Sequence, residues 1–218
     1  MEYTEEQLKK KTQGFYNKVG KRIVDLVIAV PCFIILLPFY ILISLAIAIE
    51  SGFPVIYRGV RGGFKNKPFR IMKFRSMVKN AEKLGGSTTA LHDPRITKVG
   101  FFLRRTKLDE IPQLMNIIKG DMSFVGPRPE VLKYVNMFEG LEKYILQVRP
   151  GITDWSSLEF SNMDAVVGDG DVDKYFVDNI LAQKNKLRVK YVAELSFEND
   201  VIIFFKTITE VLKRFVIK

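Results

Sequence analysis

The sequence is poor in the side chains that build cross-links and metal cages. Its 218 residues include one cysteine, Cys32, and one histidine, His92. A disulfide framework needs paired cysteines, and a structural zinc site needs several Cys or His ligands, so both are excluded. A histidine-based triad would depend on His92 alone. The Walker A loop, the G-x-G-x-x-G turn and the G-x-S-x-G elbow are all missing. There is no internal repeat and no low-complexity segment. Acidic residues are also in deficit: 24 Asp and Glu stand against 34 Lys and Arg, a formal charge of +10. That excess points to an anionic partner such as nucleic acid, anionic lipid or a phosphorylated substrate.

What is present is unevenly placed. Hydrophobic residues make up 47% of the chain, enough for one domain with a sizeable core. Ser51 to Lys107 holds fourteen basic residues against two acidic ones, Glu82 and Asp93. Asp154 to Asp178 holds seven carboxylates and one lysine, and reads as a solvated stretch. Ile23 to Ile49 is a run of 27 residues whose only charge is Asp25. As one helix it would reach about 40 Å, more than the hydrocarbon core of about 30 Å.

Two features argue against crossing the bilayer. Pro31 and Pro38 lie inside the run, and each removes a backbone donor and favours a bend. Both flanks are basic, with Lys18, Lys21 and Arg22 before and Arg58, Arg61 and Lys65 after. The positive-inside tendency keeps both on the cytoplasmic side. A re-entrant helix–break–helix satisfies both facts; the alternative is one spanning helix with a proline kink. Arg22 and Asp25 are three residues apart and share a helix face. Asp25 is then either half of a polar clamp with Arg22 or a group in the headgroup zone. The chain divides into a polar lead (1–17), the re-entrant membrane helix (18–50) and a cytoplasmic domain (51–218).

In that domain, Gly52–Tyr57 reads as a turn and short strand, and Phe69–Arg75 alternates as a second strand, giving a hairpin. Helices are expected at Ile111–Lys119, closed by Gly120, at Val131–Leu146 and at Tyr175–Leu187. Asp200–Val216 is a basic amphipathic helix, suited to a membrane surface or to packing. The expected fold class is α+β and mainly helical, with the N-terminal re-entrant helix hairpin, a small β-hairpin or sheet, and coplanar amphipathic helices on the cytoplasmic leaflet.

Three segments carry candidate chemistry. In Leu103-Arg104-Arg105-Thr106-Lys107-Leu108-Asp109-Glu110, two carboxylates follow three cations. They are either a helix cap and a first-turn residue, or an ionised pair able to attack phosphorus or hold Mg²⁺. In Gly126-Pro127-Arg128-Pro129, two prolines stiffen the backbone on both sides of Arg128, which suits bidentate phosphate binding; the plainer alternative is an arginine capping the preceding helix. The third is Arg149-Pro150-Gly151-Ile152-Thr153. Together they have the composition of a nucleoside-diphosphate and Mg²⁺ site.

The ordered set Lys21-Arg22-x-x-Asp25, Lys73-Phe74-Arg75-Ser76-Met77, Asp93-Pro94-Arg95, Leu108-Asp109-Glu110-x-Pro112-Gln113-Leu114, Gly126-Pro127-Arg128-Pro129 and Arg149-Pro150-Gly151-Ile152-Thr153 closely resembles the bacterial sugar transferases. These are monotopic phosphoglycosyl transferases acting on polyprenyl phosphate, and the likeness runs from about Lys18 onward. It implies transfer of a phospho-sugar from a UDP-sugar to undecaprenyl phosphate, with release of UMP and Mg²⁺ as cofactor. It implies Asp109 as nucleophile, forming a phosphosugar-aspartyl intermediate, and as metal ligand, with Glu110 assisting. Lys73, Arg75, Arg104, Arg128 and Arg149 match basic substrate-binding positions. Pro38 matches a helix-breaking proline, with Arg22 and Asp25 at the membrane helix. The implied place is the cytoplasmic face of the bacterial inner membrane, among its lipids, at the first membrane step of glycan assembly. Nucleic acid is not expected, and a homodimer is allowed but not specified. Two departures stand out: Leu37 where many members have Ser, and Asp154-Trp155-Ser156-Ser157 where many have Gly-Trp-Ala-Gln. The competing class is a non-enzymatic, membrane-attached module for anionic lipid or nucleic acid, which leaves the Asp-Glu pair unexplained.

Overall fold

The computed structural model describes residues 3–81, 93–160 and 172–216. His92 and the middle of the acidic stretch lie outside the described residues. The first helix, α1 (Glu5–Gln13), starts at a capping box: Thr4 Oγ1 accepts from the Gln7 amide, and the Gln7 side chain accepts from the Thr4 amide. Its Leu8 is fully buried in the main core, beside Val125, Val148, Val189, Tyr191 and Ile203. The polar lead is therefore packed, because one leucine among charged residues suffices to seat a short helix.

The apolar run forms α2 (Lys21–Ser51), which is helical without interruption through Pro31 and Pro38. The expected break of the helix is not observed. Both prolines lie on the exposed face, so the two missing hydrogen bonds fall on the outer side. The inner face is a continuous stripe at spacings of three and four. Arg22 and Asp25 bond to the body of the protein; Ala29, Phe33 and Leu36 pack on Leu114 and Ile117; Tyr40, Ile43 and Ile47 pack with Phe74 and Leu103. At the end of the stripe, Glu50 accepts from the amides of Lys98 and Val99. The outer face, including Ile23, Val27, Ile34, Leu42, Leu45 and Ile49, is exposed.

Arg22 and Asp25 do not form the expected pair. Arg22 donates to the carbonyls of Ile117 and Ile118, while buried Asp25 accepts from Ser123 Oγ at 2.9 Å and the Phe124 amide at 3.1 Å. Each fastens α2 to the body separately, and Asp25 is not in a headgroup zone. The reason is that the carbonyls near the end of the helix Gln113–Lys119, and the hydroxyl of Ser123 with the amide of Phe124, offer them better-placed partners than each other.

After α2 comes an antiparallel hairpin of β1 (Ile56–Arg61) and β2 (Phe69–Phe74), with Lys73 opposite Tyr57. Helix α3 (Lys98–Thr106) is capped by Thr97 Oγ1, which accepts from the Gly100 amide. A Cβ at Gly100 would lie 2.0 Å from the Ser76 carbonyl oxygen, so only glycine allows this approach. A 3₁₀ turn (Leu108–Glu110) leads into α4 (Gln113–Lys119), which ends at Gly120 with φ +93°. Asn116 locks α4 to β2: its Oδ1 accepts from the Met72 amide at 2.8 Å and its Nδ2 donates to the Arg70 carbonyl at 2.9 Å.

Strands β3 (Ser123–Val125) and β4 (Gly151–Thr153) pair in parallel, Ser123 with Gly151 and Val125 with Thr153. A Cβ at Gly151 would lie 2.1 Å from the Gly126 amide nitrogen. Between the strands, Val131–Leu146 is not one helix. Helix α5 is only Leu132–Val135, and a 3₁₀ segment spans Gly140–Gln147. Gly140, at φ +50°, redirects the chain between them. The rest comprises α6 (Trp155–Glu159), α7 (Val172–Tyr175), a π-helical turn (Phe176–Leu181), α8 (Ala182–Ala193) and α9 (Phe197–Val216). Helix α9 presents Phe197, Ile202, Phe205 and Leu212 to the outside while Ile203 enters the main core.

Candidate active site

Asp109 and Glu110 sit on the 3₁₀ turn between α3 and α4. Lys107, at φ +60°, bends the chain sharply into this turn. Neither carboxylate caps a helix: α3 is capped by Thr97, and α4 has no side-chain cap. Their burial therefore has no capping explanation.

The two carboxylates differ in what holds them. Glu110 takes both ends of the Arg128 guanidinium, Nη1 to Oε2 at 3.1 Å and Nη2 to Oε1, and Lys73 Nζ lies 2.8 Å from Oε1. Burial opposes its ionisation, but Arg128 and Lys73 overcome it and hold the carboxyl well below the usual range. Asp109 Oδ2 is 3.9 Å from Lys73 Nζ, and its buried Oδ1 has no partner. Burial pushes its carboxyl up, against the pull of Lys73, and the Glu110 charge adds to the rise. Lys107 and Arg104 are close enough to stabilise the Asp109 anion. Four cations thus surround two carboxylates, an excess suited to a diphosphate.

Each predicted basic residue can be placed. Lys73 is carried by β2, whose edge Asn116 fixes. Arg104 donates through Nε to Ser76 Oγ at 2.8 Å, beside the Gly100 contact. Arg128 is the fork on Glu110; it also donates to the Ile152 carbonyl at 2.8 Å and caps no helix. Parallel pairing of β3 with β4 brings the Pro127-Arg128-Pro129 and Pro150-Gly151-Ile152-Thr153 segments side by side. Arg75 is used elsewhere: it donates to the carbonyls of Pro54 and Gly52 and to Ser51 Oγ, closing the chain at the end of α2. Arg149 donates to the Gly120 carbonyl at 3.2 Å and lies over the Phe64 ring at 5.0 Å. No hydrogen bond or ion pair joins either to the Asp109–Glu110 pair among the described residues. Pro38 is on the outer face of α2.

Sequence reasoning does not single out Ser76, Asn116 or Asp154. Asp154 reads as part of a solvated stretch but is fully buried. It accepts from the hydroxyls of Ser156 and Ser157, the Ser157 amide at 2.7 Å and the Arg128 amide at 3.4 Å. The available signal is an Asp three residues before a serine at a helix start, a common N-cap pattern.

A hard divalent cation fits Asp109. Its Oδ1 is an unpartnered oxygen, and Mg²⁺ is commonly held by one or two carboxylates with substrate phosphates completing the shell. Among the described residues no group of three His, Cys, Asp or Glu side chains could hold a metal.

The family described as bacterial sugar transferase matches residues 16–214. Over 196 residues the chain is 37% identical to the UDP-glucose:undecaprenyl-phosphate glucose-1-phosphate transferase of Escherichia coli (strain K12), covering 88% of this chain and 40% of that protein. It is 33% identical over 208 residues to the undecaprenyl-phosphate glucose phosphotransferase of Komagataeibacter xylinus, covering 92% and 37%. It is 35% identical over 207 residues to the UDP-N-acetylgalactosamine-undecaprenyl-phosphate N-acetylgalactosaminephosphotransferase of Aeromonas hydrophila, covering 92% and 44%. The chain spans about two fifths of the length of these relatives.

Proposed function

The chain belongs to the bacterial sugar transferase family, and from that premise we propose that it moves a phospho-sugar from a UDP-sugar to undecaprenyl phosphate and releases UMP. The observation that carries this is the split within the carboxylate pair. Glu110 is fully engaged by Arg128 and Lys73, whereas Asp109 keeps a buried oxygen without a partner.

In the first step an Asp109 oxygen attacks the phosphorus linked to the sugar. The bond from that phosphorus to the UMP oxygen breaks, and UMP leaves with the electron pair. The sugar phosphate is then held as a mixed anhydride on Asp109. In the second step an oxygen of undecaprenyl phosphate attacks the same phosphorus and frees the Asp109 carboxylate. No proton need move in either step. Two anionic substrates that would repel each other are thereby handled in turn. Lys73, Arg104 and Lys107 offset the charge that gathers at phosphorus. Glu110 keeps Arg128 and Lys73 oriented. Mg²⁺ held by Asp109 would neutralise diphosphate charge.

The membrane reading rests on α2 and α9. The inner stripe of α2 touches the body from Arg22 to Glu50, before and after both prolines. A helix that passed straight through a bilayer would leave the polar body at one end. An unbroken α2 lying along the cytoplasmic leaflet, with its outer, proline-bearing face toward lipid, fits the stripe. The exposed apolar residues of α9, with Phe101 and Phe102 of α3, would join it at the boundary. On this reading the chain works at the cytoplasmic face of the inner membrane, at an early step of glycan assembly.

The test is incorporation of label. Protein given UDP-sugar labelled at the sugar-linked phosphate should take up label, release UMP and pass the label to undecaprenyl phosphate. Labelling of an Asp109→Asn variant would refute the assignment.

A further inference from the structure

Gln113 is fully buried, and both polar atoms of its amide, Oε1 and Nε2, have no hydrogen-bond partner. Leaving a buried amide in this state is destabilising, so its retention asks for a reason. Asn116, less than one helical turn onward and equally buried, has both ends of its amide paired. Gln113 is the first residue of α4, one turn after Asp109. Helical side chains lean back over the turn that precedes them, here the turn of Asp109 and Glu110. Asp109 Oδ1 is the other unpartnered buried atom of this turn.

We infer that Gln113 is a substrate contact: its Nε2 donates to a phosphate oxygen of the nucleoside diphosphate held beside Asp109, and its Oε1 accepts from a water that enters with it. A phosphate oxygen has no proton to give, so an amide N–H suits it as a neutral donor among the cations Lys73, Arg104 and Lys107. The inference rests on the phospho-sugar transfer proposed above.

The free protein and the complex make opposite demands on this side chain, which makes the inference testable. In Gln113→Met the volume is nearly kept and the unpaired polar atoms are gone. The ligand-free thermal midpoint of the full chain in nanodiscs should therefore match or exceed that of the wild type. UDP in Mg²⁺ buffer should bind about tenfold more weakly, as for the loss of one good hydrogen bond to a charged group. Gln113→Glu, which sets an anion against the diphosphate, should weaken UDP further. A lower ligand-free midpoint for Gln113→Met, or an unchanged UDP dissociation constant in either variant, overturns the inference. Wild-type protein that binds UDP in a Gln113-dependent way yet releases no UMP from any UDP-sugar would sink the transfer reaction and leave the contact standing.

Discussion

Arg128 grips Glu110 through both carboxylate oxygens, so the carboxylate beside the candidate nucleophile is already saturated. Lys73 closes the arrangement, at 2.8 Å from Glu110 and 3.9 Å from Asp109. The result is an asymmetric pair in which one acid anchors cations and the other keeps a lone pair available.

That asymmetry separates the consequences of amide substitution. Asp109→Asn should reduce UMP release by at least about 10³-fold, as expected when a covalent nucleophile is lost. Its thermal midpoint should stay the same or rise, because burial disfavours the charge being removed. A coupled UMP assay and a melting curve check both halves.

Glu110→Gln should behave in the opposite way toward stability. It leaves Arg128 and Lys73 without their anion, and breaking a buried pair in this manner costs about 3 kcal/mol. For a chain of this size that is a fall of about 6–12 °C in Tm. Because the Glu110 carboxyl is held below its unfolded value, its contribution is present at neutral pH. It is lost only as pH falls through and below the ordinary carboxylate range. Acid titration of the wild type and of the Glu110→Gln variant, followed by circular dichroism, should show the difference.

Asp25→Ala should destabilise by about 2 kcal/mol, since Ser123 Oγ and the Phe124 amide lose their acceptor. Arg22→Ala removes two bonds to the end of α4. Because the two side chains hold different partners, their effects should add to within about 0.5 kcal/mol. A larger coupling in the double-mutant cycle would reinstate a direct Arg22–Asp25 pair.

Lys184 is predicted to make stability rise with alkalinity. Its ammonium is buried over the Phe176 ring at 5.3 Å and the Phe160 ring at 5.8 Å. Burial lowers its pKa to about 8, with Glu130 opposing and Arg188 assisting. In the unfolded chain the value is about 10.4, so between about pH 8 and 10.4 the unfolded state binds more protons and stability climbs. The full gain is about 3 kcal/mol. Gln or Met in place of Lys184 should raise Tm at pH 7 and flatten the climb, as a pH series of melting curves would reveal.

Much of the candidate site was legible because its carboxylates and proline-flanked arginine lie at short fixed spacings along the chain. The Asp109-Glu110 pair and the proline-flanked Arg128 could be found in this way, and Lys73 through the family resemblance. Arg75 illustrates the limit. It lies two residues from Lys73 with the same charge, and on a continuing strand the two would share a face. The strand β2 ends at Phe74, however, and Arg75 turns to the carbonyls at the end of α2. Asp154 shows another limit: a carboxylate in an acidic stretch looks solvated until the close approach of Gly126 and Gly151 brings it against the Arg128 amide. The expectation of one long helix at Val131–Leu146 fails because α5 already ends at Val135, and extended Glu139 and left-handed Gly140 then turn the chain into a separate 3₁₀ segment.

By itself the sequence determined the family, the candidate carboxylate pair and the presence of one long apolar helix, since each depends on neighbours along the chain. Only tertiary structure decided which cations meet which acid, because that follows from Asn116 locking β2 to α4 and from parallel pairing of β3 and β4. It also decided which side of α2 faces protein. A helix apolar all round carries no amphipathic signal of orientation, and the inner stripe from Arg22 to Glu50 emerges only from what packs against it.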